Sequence, residues 1–146
     1  MEIRAAEEKD WPFLHRWDPH LSGEELRRSI QRGQALLAIA GGEPAGWLRY
    51  NLFWDNTPFL NLLYVLEPLR GRGCGSALLG HWEEQMRRAG YPCVMTSTAA
   101  HESAQHFYMR HGYRAVGGFF PYGEPYELIL CKEFRESRRE GEEDHG

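Results

Sequence analysis

The residue types best placed to do chemistry in this chain are those of Arg70-Gly71-Arg72-Gly73-Cys74-Gly75-Ser76. Three glycines at alternate positions and two arginines follow the apolar run Leu62-Leu63-Tyr64-Val65-Leu66 and lead into Ala77-Leu78-Leu79. A strand that passes through such a loop into a helix builds an anion cradle. Glycine lets the backbone come close to a ligand. The first amides of the helix have no intrahelical acceptor, and the helix dipole favours negative charge at that end. Arg70 and Arg72 add charge, so a phosphate or pyrophosphate is the fitting ligand.

Two common phosphate loops do not match. A Walker A loop ends in Gly-Lys-Ser/Thr, and Gly75-Ser76 lacks the lysine. A dinucleotide fingerprint lies at a first strand and is followed about 20 residues on by a carboxylate. Here the glycines stand in mid-chain, and the region around Cys93 is apolar with no acid. ATP, GTP and NAD are therefore poor candidates.

The loop needs a frame, and the pattern around it supplies one. Residues 2–6 read as a first strand. Asp10 is placed to cap a helix through Trp17, which Asp18-Pro19 ends. Ser22-Gly23-Glu24-Glu25 has capping-box spacing for a second helix stopped by Gly33. Strands at 34–40 and 44–54 flank the turn Gly41-Gly42, and a turn at 55–58 precedes a fourth strand, 59–65, apolar enough to be buried on both faces. Helix 76–89 places Leu78, Leu79, Trp82, Met86 and Ala89 on one stripe before Gly90. A strand at 92–98, a helix at 102–111 and strands at 113–120 and 125–133 complete an α/β domain of residues 1–134. From Arg135 onward the chain is charged and without apolar residues, the composition of a disordered tail.

At 146 residues, 42% hydrophobic and 26% charged, the chain has the make-up of one soluble globular domain. Seventeen basic against 21 acidic residues give a net charge of −4, which offers no general attraction to nucleic acid. No apolar run reaches membrane-span length and no signal-peptide pattern opens the chain. Cys74, Cys93 and Cys131 are odd in number and lack metal-ligand spacing, so they read as reduced thiols of a cytoplasmic protein with no bound metal.

Arg70-x-x-Gly73-x-Gly75 resembles the pyrophosphate loop of the GCN5-related N-acetyltransferase (GNAT) superfamily, Gln/Arg-x-x-Gly-x-Gly/Ala. The opening Met1-Glu2-Ile3-Arg4-Ala5-Ala6 with Asp10 is similar to the family's first strand and helix start. Ser103-Ala104-Gln105-His106-Phe107-Tyr108-Met109-Arg110-His111-Gly112-Tyr113 is similar to its second signature, a helix with Ala, then Phe-Tyr, then a Gly-Phe/Tyr stop. The resemblance spans about residues 1 to 134. It implies a mixed, mostly antiparallel sheet flanked by helices, with splayed central strands. It also implies acetyl-CoA as cosubstrate and direct attack on it by an amine, without an acyl-enzyme.

The same resemblance assigns roles. Leu63, Tyr64 and Val65 would pair through their main chain with pantetheine, the Val65 amide serving as oxyanion donor. Arg70, Gly71, Arg72, Gly73, Cys74, Gly75 and Ser76 would hold the pyrophosphate, with the Cys74 side chain packed under the turn. Tyr108 would be the general acid for the departing thiolate. A phenol of pKa about 10 is protonated at neutral pH, as that role demands. Many relatives have Asn seven residues before this tyrosine, near the pantetheine. This chain has His101, which could replace that hydrogen bond, cap the helix or face solvent. Where some relatives carry a glutamate base on the fourth strand, this chain has Phe59. A proton acceptor must then be water or one of Asp18, His20, Glu67 and Glu127.

Trp47, Tyr50, Phe53 and Trp54, and Phe119, Phe120 and Tyr122, could border an acceptor groove and hold a cationic amine. Core packing or a homodimer contact accounts equally well for any one of them. A small-molecule primary amine is the expected acceptor, with a protein N-terminus or lysine as the alternative. A non-catalytic acyl-CoA-binding sensor is the rival reading, opposed by the pairing of loop and Tyr108.

Overall fold

The computed structural model describes residues 1–134, and the segment expected to be a charged tail lies outside the described residues. Seven strands form one sheet in the order β1-β2-β3-β4-β5-β7-β6. They are β1 (Glu2–Ala5), β2 (Ala35–Ala40), β3 (Glu43–Phe53), β4 (Thr57–Val65), β5 (Cys93–Ala99), β6 (Arg114–Phe119) and β7 (Glu127–Glu133). The helices are α1 (Trp11–Trp17), α2 (Gly23–Gln31), α3 (Cys74–Arg88) and α4 (Ala104–Arg110), with single 3-10 turns at Glu8–Asp10 and Glu67–Leu69.

Alternation along the strands divides the core in two. Leu36, Ala38, Leu48, Tyr50, Leu60, Val94 and Leu130 point to the face covered by α3 and α4, where Leu78, Leu79, Trp82 and Met86 meet them. Leu37, Trp47, Leu62 and Tyr64 point to the face covered by α1 and α2, against Leu14, Leu26 and Ile30. Full burial of one such side chain stabilises by about 1.5–3 kcal/mol. The expected stripe on α3 is thus the buried one, except that Ala89 falls after the helix and is exposed.

The helix ends show which capping signals hold. Ser22 Oγ accepts the Glu25 N–H at 3.2 Å, and Gly33 follows α2 at φ 71°. Asp10 departs from expectation. It does not cap α1; its carboxylate accepts the Glu7 N–H at 2.7 Å and two Arg4 bonds at 2.8 and 3.1 Å. Burial pushes the Asp10 pKa up, but the Arg4 and Glu7 bonds outweigh it and hold the group below its ordinary value. The helix α3 begins at Cys74 rather than residue 76 because Gly73, at φ 82°, can turn the chain straight into it. The helix α4 begins at Ala104, two residues later than the pattern indicates.

One polar contact crosses the α1/α2 face. Asp18, the residue that ends α1, is 1% exposed, and Arg49 of β3 is 7% exposed. Arg49 Nε donates to Asp18 Oδ2 at 2.8 Å, and Asp18 Oδ1 accepts the His20 N–H at 3.3 Å. The pair ties the α1–α2 connection to the central sheet, so Asp18 is structural and not a free proton acceptor. Removing one partner of a buried pair strands the other charge. Asp18→Ala should therefore cost about 3–5 kcal/mol in urea unfolding. The double variant Asp18→Ala/Arg49→Met should lose less than the two single changes summed.

Candidate active site

The site begins with a departure from regular pairing. β4 and β5 are the one parallel pair, and they meet at only two positions, Phe59 with Met95 and Leu60 with Thr96. Against β3, Arg49 faces Leu62 and Tyr50 faces Leu60, so Asn61 is an extra residue, a β-bulge. A bulge bends its strand and raises its twist, and past Asn61 the end of β4 leaves β5. The expected splay of the central strands is present, and the bulge marks where it starts.

Register then decides which main-chain groups face the gap. The Leu66 N–H donates to Ala45 O at 2.9 Å, which makes 66 and 45 a hydrogen-bonded antiparallel pair. Pairs alternate, so Tyr64 with Trp47 is bonded as well, while Val65 with Gly46 and Leu63 with Leu48 are not. The main chain of Leu63 and Val65 therefore points away from β3, into the gap. Tyr64 turns the other way. Its backbone serves β3 and its ring packs on Trp47 at 5.0 Å, so its expected main-chain contact with a ligand in the gap is not available.

At the end of β4 the glycine loop leads into α3. Gly71 and Gly73 have φ of 79° and 82°, and the space beside each is open. Ala77 N–H is the first to bond back, to Gly73 O at 2.9 Å, so the amides of Cys74, Gly75 and Ser76 have no acceptor within the helix. Arg70 Nε donates to Val65 O at 2.9 Å while its guanidinium covers the Tyr64 ring at 5.1 Å, which fixes the loop on the strand. Arg72 is exposed. The Cys74 side chain is 3% exposed beneath the turn and burial pushes its thiol pKa up, so only its amide faces outward.

A histidine missed by sequence reasoning joins this loop to α4. His111 Nδ1 lies 2.8 Å from Phe107 O, and Nε2 lies 3.0 Å from Ser76 Oγ. A carbonyl can only accept, so Nδ1 carries a proton there, and Nε2 is left to bond the Ser76 hydroxyl. The Ser76 side chain is thereby committed to His111, leaving its amide for a ligand. The Phe107 ring stands against Gly75 and packs on His111 in a tilted arrangement, ring centroids 4.5 Å apart. His111 shares a helical stripe with Tyr108 in the sequence, but nothing there signals a partner 35 residues away.

Tyr108 is 7% exposed and shares the groove wall with Leu60 and Thr96, whose Oγ1 donates to Leu60 O at 3.0 Å. That places the phenol at the vertex where β4 and β5 part. Burial pushes its pKa up to about 12, against a smaller opposing effect of Thr96. Below that pH the hydroxyl keeps its proton. Thr96, also missed, is polar and 1% exposed in a mostly apolar strand, the one signal that could have flagged it.

A groove of about 690 Å³ runs through the gap, with Leu60 to Leu63, Thr96 to Ala99 and Tyr108 on its walls. His101 lines it from the segment before α4 and does not cap that helix. His20 enters from the α1–α2 connection, and Phe119, Glu124 and Glu127 from the β6–β7 side. Of the sequence candidates for proton acceptor, His20 and Glu127 line the groove. Asp18 is taken by Arg49, and Glu67 lies outside on its 3-10 turn. The aromatics divide likewise. Trp47 and Tyr50 are core residues, and Phe53 and Trp54 sit at the exposed β3–β4 turn, away from the groove. Phe119 lines it, while Phe120 and Tyr122 are exposed but do not.

The chain matches the acetyltransferase (GNAT) family over residues 2–113. It is 36% identical over 84 residues to the aminoalkylphosphonate N-acetyltransferase of Salmonella typhimurium, an alignment that covers 53% of this chain and 54% of that protein. The chain thus spans about half the length of the curated relative it matches. Among solved structures, Ard1 from Thermoplasma volcanium superposes with a TM-score of 0.80 at 17% identity, over 92% of this chain and 98% of that one. PaiA N-acetyltransferase from Thermoplasma acidophilum, solved in complex with coenzyme A, gives 0.75 at 19%, over 91% and 98%. At these identities the structural likeness speaks to the fold.

The His111 bridge can be tested by itself. Ser76→Ala and His111→Ala should each cost about 0.5–1.5 kcal/mol in chemical unfolding, the scale of one hydrogen bond. Because both remove the same contact, the double variant should fall short of their sum.

Proposed function

The chain belongs to the acetyltransferase (GNAT) family, and from that membership we propose that it is an acetyl-CoA-dependent N-acetyltransferase acting on a primary amine of a small molecule. The observation that carries this reading is the gap itself. The main chain of Leu63 faces a groove that has an unpaired amide cradle beyond one end and a protonated phenol at its vertex, and the Val65 N–H points away from β3 on the same side.

The residues present fit the cosubstrate. Gly73 and the amides of Cys74, Gly75 and Ser76 would receive the pyrophosphate, with Arg72 as the free charge beside it. The main chain of Leu63 would bond the amides of pantetheine as a missing neighbour strand would, while Val65, whose carbonyl is held by Arg70, keeps its N–H for the thioester oxygen. Acetyl-CoA supplies an activated acyl thioester when bound.

The acceptor ammonium must first lose a proton, since only the neutral nitrogen has a lone pair. His20, Glu127 or water in the groove takes that proton. The lone pair forms a bond to the thioester carbonyl carbon, and the Val65 N–H stabilises the charge that grows on its oxygen. As the carbon–sulfur bond breaks, its electron pair leaves on sulfur and Tyr108 gives that sulfur a proton. His101 would border the pantetheine without taking part in the bond changes.

Free-thiol release from acetyl-CoA with a panel of primary amines tests the reading, and no release with any of them would overturn it. Tyr108→Phe keeps the ring and its packing but removes the proton. Its kcat should fall by roughly 10²–10⁴ with acetyl-CoA affinity little changed, and full kcat in that variant would remove Tyr108 from the mechanism. For the cradle, Gly75→Asp is the cleaner probe. A Cβ there meets only ordinary contacts at 3.7 and 3.8 Å, whereas Gly73 sits at a φ that strains any side chain. An acid is welcome at a helix start, so the fold should persist while calorimetry shows acetyl-CoA binding lost.

A further inference from the structure

The charges on the groove wall are one-sided. Glu102, Glu124 and Glu127 line it together with two histidines, and among the described residues no lysine or arginine does. None of these three carboxylates forms an ion pair with another described residue, whereas those of Asp10, Asp18, Glu83 and Glu84 all do. A concave site lined by one sign of charge concentrates its field on whatever enters. The cradle, by contrast, carries Arg70 and Arg72 and lies outside the groove walls.

The chemistry limits what those carboxylates can serve. The attacking nitrogen is neutral when it forms its bond, so it cannot be the lasting counter-ion of three acids. One proton acceptor suffices for it. The remaining charge favours an acceptor that carries a second, lasting cation.

Resting on the acetyltransferase reading, we infer that the acceptor is a diamine or longer polyamine, whose second ammonium group stays charged against Glu102 and Glu124 while the first is acetylated. In the transfer a nitrogen–carbon bond forms and the carbon–sulfur bond breaks; of the two protons the nitrogen loses, one replaces the proton Tyr108 gives to sulfur and the other passes through the groove acceptor to water. The distal ammonium changes in none of these steps. An acceptor with a phosphonate or carboxylate tail would bring a second negative charge to an acidic wall. This separates the chain from the aminoalkylphosphonate N-acetyltransferase that it resembles over 84 residues.

The test measures thiol release by the full chain with putrescine, butylamine, aminopropylphosphonate and a lysine-rich peptide as acceptors. Putrescine should exceed butylamine, which has the same chain length without the second charge, by about tenfold in kcat/KM, and aminopropylphosphonate should fall below butylamine. Glu124→Gln lies in an exposed connection and leaves the fold intact. It should bring the putrescine-to-butylamine ratio towards one, as should added salt. Aminopropylphosphonate or the peptide as best substrate, or putrescine no better than butylamine, overturns the inference and leaves the acetyltransferase reading standing. No turnover with any of the four overturns both.

Discussion

Everything in the candidate site depends on β4 and β5 pairing over only two positions. A strand in the middle of a sheet normally satisfies its main chain on both sides, because an unpaired backbone group away from water is costly. Here the bulge at Asn61 turns the end of β4 off its parallel neighbour, and Leu63 and Val65 keep one bonding edge open. Water or a ligand that presents amides in the right sequence must fill that edge. The rest of the sheet tolerates the gap because α3 and α4 bridge it from one face, with Leu78, Trp82 and Tyr108 in one continuous core.

The two sides of the gap are held by polar contacts of different kinds. On one face the buried Arg49–Asp18 pair fixes the α1–α2 connection, and with it His20. On the other, His111 joins the first turn of α3 to the last turn of α4. The helix α4 has only seven residues, too few to hold its own geometry in water. The bond to Ser76, the packing of Phe107 on Gly75 and the burial of Tyr108 at the vertex set its position. The same contacts place a phenol with a raised pKa beside the opening and spend the Ser76 hydroxyl on support.

Charge is separated along the chain in the same way. Arginines gather at the glycine loop and carboxylates at the β6–β7 side, so the two ends of the site differ in sign. That polarity suits a reaction between an anionic donor and a cationic acceptor. It arises from elements far apart in sequence, and the net charge of −4 gives no hint of it.

Local chemistry was legible in the sequence wherever neighbours in the chain decide it. The glycine loop, the start and stop of α2, the apolar stripe of α3 and the alternation of strands all rest on contacts within a few residues, and the family signatures ride on them. Tyr108 could be proposed because it falls in the family's second signature, a run of neighbours in the chain. Asp10 misled because Arg4 and the Glu7 amide, also local, competed for its carboxylate. What pairs across long separations could only be decided by the folded chain. Asn61 is a bulge because β3 sets its register, and Asp18 is an ion-pair partner because Arg49 arrives 31 residues later. Thr96 and His111 take their roles from Leu60 and Ser76. Side-chain hydrogen bonds depend on distances of tenths of an ångström, and no pattern along a sequence carries those until the sheet and helices have packed.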